Sequence, residues 1–125
     1  MTINIHRIAR DVAQSLTASE YSQPFGAEYD VYKVLGKMYL IAFELKGIPI
    51  LNVKVDPQHG EMLRDIYPFI RTGYHMNKRH WISIYENEDL DPDLVIDLVQ
   101  SSYNLVVSKL NKVQRQRIAV LNTIT

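Results

Sequence analysis

The sequence has no cysteine, so a disulfide framework, a thiolate metal site and a cysteine nucleophile are all excluded. It lacks any long apolar run. The longest, Met38 to Phe43, is six residues, against the roughly 20 a membrane helix needs. It also lacks net charge: fourteen Lys+Arg meet fourteen Asp+Glu, whereas a strongly basic nucleic-acid binder has a pI above about 9. Its five glycines are scattered singly, and none falls in a GxGxxG or GxxxxGK(S/T) phosphate loop. There is no GxSxG elbow and no HExxH. The expectation is a protein without catalytic residues or cofactor. Met1-Thr2-Ile3-Asn4 shows no charged region ahead of an apolar core, so no secretory signal is expected and the cytoplasm is the expected location.

The 125 residues make one domain, with 46% apolar and 22% charged residues, as in an ordinary globular protein. The neutral total conceals blocks of charge. Six acids and no base fall between Glu86 and Asp97, and four bases and no acid between Lys109 and Arg117. Three more bases lie between Arg71 and Arg79, close to His75 and His80. Acids ahead of a helix and bases at its end suit the helix dipole, which is the plain explanation of the first two blocks. His75 and His80 are five residues apart across an expected turn, and no carboxylate nearby completes a ligand set, so no metal site is expected.

Ile5, Ile8, Ala9, Val12, Ala13 and Leu16 recur at helical spacing and predict an amphipathic helix over residues 3–17. Residues 17–28, with Ser19, Ser22, Pro24 and Gly26, read as loop. Three strands are expected next, over 29–34, 37–46 and 48–55, turning at Leu35-Gly36 and at Gly47. In the second of these, Met38, Leu40 and Ala42 should face away from Tyr39, Ile41 and Phe43, which leaves that strand apolar on both sides. Asp56-Pro57 supplies a cap and a proline at the first helical position. The helix it opens should bury Met62, Leu63 and Ile66 and stop before Pro68. Two further strands, 69–76 and 80–86, should turn at Asn77-Lys78-Arg79. Asp91-Pro92 repeats the cap signal and opens a long helix with Val95, Leu98, Val99, Ser102, Val106 and Leu110 along its buried stripe, then a short basic tail from about residue 111. The expected order is α-β-β-β-α-β-β-α. This predicts an α+β protein, a two-layer sandwich built on one antiparallel sheet of about five strands with three helices.

The densest segment for binding is 67–81, where Tyr67, Phe69, Tyr74 and Trp81 interleave with Arg71, Lys78 and Arg79. Cations can hold phosphates and rings can stack on bases, although the same residues also suit a sheet surface and a solvated turn.

Several strings carry a resemblance: Pro24-Phe25-Gly26, residues 31–38, Asn52-Val-Lys-Val-Asp-Pro57, Leu63-Arg64, Tyr67-Pro68, the nine residues Gly73–Trp81, and Ser102–Leu110. Together they resemble the MmcQ/YjbR-like family over roughly residues 4–115, nearly a whole domain. One departure is Thr72, where the family tends to carry proline. The resemblance implies a compact bacterial cytoplasmic α/β domain, described as DNA-binding through a double-wing motif, with no catalytic residues.

Two functions of different class follow as expectations. In the first, DNA is the partner. Lys37, Arg71, Lys78 and Arg79, on wings at Gly36-Lys37 and at 77–79, contact phosphates, while Asn77 or His75 approaches base edges. In the second, the chain is a protein- or small-ligand-interaction module. The element order resembles that of type III secretion chaperones, and a bare second sheet face could pair two copies as a homodimer.

Overall fold

Ile5, Ala9, Val12 and Ala13 are buried along one side of α1 (Ile5–Ser15), where the apolar spacing predicts a core-facing helix. The computed structural model describes residues 3–124. After α1 come β1 (Ser19–Ser22), β2 (Asp30–Val34), β3 (Lys37–Leu45), β4 (Ile48–Lys54), α2 (Pro57–Ile66), β5 (Ile70–Thr72), β6 (Trp81–Tyr85), α3 (Pro92–Ser108) and α4 (Lys112–Ile124). The strands form one antiparallel sheet in the order β1-β2-β3-β4-β6-β5. α1 and α3 pack on one another and on its central strands. The protein is therefore α+β, with a single antiparallel sheet. The turns Leu35-Gly36 and Lys46-Gly47 both have positive φ at their two residues, as tight hairpins require.

Four features depart from the sequence expectation. Residues 19–22 form an edge strand, polar in sequence and held by backbone pairing to β2. Residues 112–124, expected as a tail, form α4, with Ile118 in the core. On α2, Leu63 is buried, but Met62 and Ile66 are 51% and 57% exposed, because α2 packs at the β5 edge and its outer side meets no other layer. The fourth is the chain between β5 and β6, described below.

The strand alternation also breaks at one place. Pairing between β2 and β3 shifts between Tyr32 and Lys33, so Tyr32 opposes Leu40 while Lys33 opposes Met38. The extra residue is Tyr39, and a bulge re-aims its neighbours. Tyr39 joins Leu40 and Ala42 in the helix-side core, whereas Met38 lies with Ile41 and Phe43 on the second face.

Beside the bulge, the β3–β4 ladder ends at Leu40 and Val53. The Ser102 hydroxyl of α3 enters there, accepting from Lys54 N at 2.8 Å and donating to Tyr39 O at 2.6 Å. A helix side chain thus satisfies two strand groups that the bulge leaves without a partner in the ladder.

The Tyr39 ring is buried, meets Tyr103 edge-on at 5.4 Å and shares a hydrogen bond with Ser19. Burial pushes its phenol up to about 12. Burial likewise raises Tyr32 and Tyr103. A folded-state value above the ordinary one near 10 means that the fold holds the neutral form more strongly than the unfolded chain does. The stabilisation is complete below pH 10 and is lost as pH rises from about 10 through 12. Chemical denaturation across this range should show falling stability, and Tyr39→Phe should flatten the fall. An equally steep fall in the variant would remove Tyr39 as its cause.

Candidate nucleic-acid interface

Trp81 opens β6 and is 7% exposed, and two concavities share it. The first, of about 660 Å³, is lined by Lys54, Asp56, Asn77, His80 and Lys109 among others. The second, of about 430 Å³, is lined by Lys33, Lys37, Lys54 and the apolar Phe25, Met38 and Met76. Lys54 belongs to both. Four lysines from β2, β3, β4 and the end of α3 therefore gather at one end of the sheet, and among the described residues Asp56 is the single acid lining either concavity. α3 accounts for much of this polarity. Asp91 caps its start, with Asp93 and Asp97 in its first turns, and Lys109 caps its end. Acids at the N-terminus and bases at the C-terminus are favourable for the helix itself. They also leave the molecule dipolar, with the lysine pole and the acidic block at opposite ends of α3.

Residues 73–80 do not extend the β5–β6 hairpin to a tip. They fold back over the second face of the sheet, pinned by a buried polar pair. Asn52, 2% exposed, donates from Nδ2 to Tyr74 O at 3.0 Å. Tyr74 N donates to Ser83 Oγ at 2.9 Å, and that hydroxyl donates to Asn52 Oδ1. The physical reason is satisfaction: two polar side chains on an otherwise apolar face need partners, and the loop backbone provides them. Gly73 has to be glycine here, because a Cβ would stand 2.6 Å from Trp81 Cβ. Tyr74 stacks on Phe43 at 5.8 Å, and Met76 packs on the same apolar cluster.

This folding decides where the sequence candidates lie. Lys37 lines the lysine concavity beside the β2–β3 turn. Asn77 lines the larger concavity, and its Oδ1 accepts from Arg79 N at 2.9 Å, which leaves that oxygen one lone pair beside the amide N–H groups. Reading adenine bidentately would need that oxygen as well. The Lys78 ammonium folds back to donate to Gly73 O. Arg79 is exposed at the turn. His75, with φ 58°, is exposed, its ring 4.1 Å from that of Tyr74. Arg71 lies apart on the edge strand β5, its guanidinium 4.9 Å from the Tyr85 ring centre. Of the four interleaved aromatics, Trp81 is buried beneath the two lysine-lined concavities, Tyr67 pairs with Phe69 against the core, and Tyr74 lines a separate cleft on the second face.

Lys33 and Lys54 were not singled out from the sequence, and Lys109 stood out only as the start of a basic block, since the three lie far apart in the chain and only the fold joins them. Period-2 alternation does put Lys54 on the side of Asn52, away from the helices. Among the described residues, no three His, Asp or Glu side chains are grouped to hold a metal ion. No helix among them is long and apolar enough to cross a membrane.

Comparison with known proteins agrees with the architecture. The chain is 35% identical to a Deinococcus radiodurans protein of crystal structure assigned to domain DUF419, with a TM-score of 0.80 over 88% of this chain and 84% of that one. A Pseudomonas syringae crystal structure matches at 26% identity and a TM-score of 0.70, over 82% of this chain and 98% of that one. Among curated proteins, Escherichia coli O157:H7 YbdF is 44% identical over 115 residues, 92% of this chain and 94% of its own. YjbR of Escherichia coli K12 is 28% identical over 104 residues, 77% of this chain and 88% of its own. Both are described as uncharacterized. The family model YjbR matches residues 14–105, from the end of α1 through the whole sheet and into α3. On that match the chain belongs to the YjbR family.

Proposed function

We propose that the chain is a cytoplasmic DNA-binding protein with no catalytic role, and that the lysine pole receives the phosphate backbone. The observation that carries this reading is the convergence of Lys33, Lys37, Lys54 and Lys109 on two adjoining concavities with one acid between them. Arg79, exposed on the 77–79 turn next to Asn77, adds a further cation near this pole, while the Lys78 ammonium is turned back onto Gly73 O. Clustered cations raise the local concentration of a polyanion even on a molecule of zero net charge. The β2–β3 hairpin serves as one wing. The second wing is the folded-back 73–80 loop rather than a projecting hairpin. A dimer built on a bare second face has less support, because Tyr29, Tyr74 and Met76 already cover part of that face.

Fluorescence anisotropy with labelled DNA across a salt series tests the proposal. Four lysines each neutralising one phosphate give a slope of about −3.6 in log K against log salt on duplex DNA. Lys37→Ala with Lys109→Ala should weaken binding to all sequences alike and make the slope shallower by about two. Both side chains are exposed, so the fold should persist. Absence of binding at low salt, where attraction is least screened, would refute the proposal.

A further inference from the structure

Phosphate contacts leave unused a cleft of about 470 Å³ on the second face of the sheet. Its walls are Phe25, Tyr29, Phe43, Tyr74, Met38 and Met76, and Asn52 is part of its lining. The aromatic walls are ordered: Tyr29 lies 5.7 Å from Phe43, and Phe43 stacks on Tyr74. Phe25 is held by an organised loop, in which Gly26 turns at φ 118° and Asp30 accepts from Gln23 and Tyr21, yet the residue is 59% exposed. Asn52 spends one amide N–H on Tyr74 O. Its other N–H has no acceptor among the described residues, so it can serve a carbonyl or a ring nitrogen. Phe25, Met38 and Met76 line the lysine concavity as well, so the apolar cleft opens directly onto Lys33, Lys37 and Lys54.

An occupant suited to both halves is flat and apolar, has a polar edge and is joined to an anion. We infer that the cleft receives one unstacked base of single-stranded DNA, with the flanking phosphates on Lys33, Lys37 and Lys54. The inference rests on the DNA-binding reading above and narrows it. A base inside a duplex enters only after unpairing and unstacking, a cost that a single strand largely avoids, so the preferred form is a single strand. The lysines outnumber what one phosphate requires, and they continue past Trp81 to Lys109, which favours a strand over a free mononucleotide.

The test uses a short single strand carrying one 2-aminopurine, the duplex of the same sequence, and a free mononucleotide as competitor, all at equal low salt. The single strand should bind about ten-fold more tightly than the duplex, with a change in 2-aminopurine emission. Phe25→Ala should reduce single-strand affinity about ten-fold, lower duplex affinity far less, and be rescued by Phe25→Trp. Equal affinity for strand and duplex, indifferent to Phe25→Ala, would overturn the base site while leaving the phosphate reading intact. A mononucleotide that competes as well as the strand would assign the cleft to free nucleotides and overturn the inference. No binding of either DNA form would overturn both readings together.

Discussion

Trp81→Ala should destabilise the protein by about 3–5 kcal/mol, the usual cost of deleting a large buried ring, and lower Tm by on the order of 10–20 °C. The ring is 7% exposed and forms the shared wall of the two lysine-lined concavities. The 73–80 loop lies against it, with Gly73 close to its Cβ and Met76 sharing the smaller concavity. The loop has its own ties to this residue: Trp81 N donates to Asn77 O at 3.0 Å, and Gly73 N donates to Trp81 O at 2.9 Å. Those backbone bonds survive the substitution, so the loss should come from packing and not from a broken turn. Trp81→Phe should recover much of the stability for the same reason. A thermal melt of Trp81→Ala unchanged within error would show that the ring contributes no packing, and would move it from the core to the binding surface.

The two Asp-Pro pairs show how much of the fold was legible. Each sets a helix start where an extended cap and a proline at the first helical position agree, and α2 and α3 begin at Pro57 and Pro92 as expected. Residue alternation was equally informative in β6, where Ile82 and Ile84 enter the helix-side core while Ser83 faces the loop. The strand β1 was not legible. Its Ser-Glu-Tyr-Ser carries no apolar alternation, and its pairing is a property of the β2 edge. The start of α4 is written in the sequence, although the residues from about 111 read there as a tail. Asn111 Oδ1 accepts from Gln114 N at 2.9 Å, and Gln114 Oε1 accepts from Asn111 N at 3.3 Å, a reciprocal capping box.

The candidate site was legible only as fragments. Lys37 and the 73–81 string stood out locally, but the loop path depends on Asn52 and Ser83, which look like ordinary outward polar residues until the loop covers them. The bulge at Tyr39 was invisible for a related reason. An unbroken run from Met38 to Phe43 fits either face, so no pattern within it marks the residue that is skipped. Without the bulge, Met38 would face the helices and the cleft would lose one wall.

Ser102→Ala isolates that bulge. The hydroxyl is fully buried and makes two bonds, from Lys54 N and to Tyr39 O, across the place where β3 and β4 stop pairing. Removing it leaves a buried backbone donor and a buried backbone acceptor unmatched, at about 1–3 kcal/mol each, so a loss of about 2–6 kcal/mol is expected. The removed atom is small, hence the cavity contribution should be minor beside the polar one. Two outcomes of relaxation are distinguishable by amide hydrogen exchange. If β3 and β4 remain apart, the Lys54 amide should lose protection while the amides of Leu51 and Val53 keep theirs. If the strands close and pair, Lys54 stays protected and the destabilisation shrinks, but the bulge is lost and Lys54 and Met38 are re-aimed. Under the proposed function, that second outcome should weaken DNA binding in a protein of near-normal stability. Ser102→Thr keeps the hydroxyl and adds a methyl group to a packed site, so it should retain Lys54 protection at a cost of about 1–3 kcal/mol from overpacking. A Ser102→Ala protein with wild-type stability, Lys54 protection and DNA affinity would show that the serine bridge is dispensable, with the strands bonded some other way.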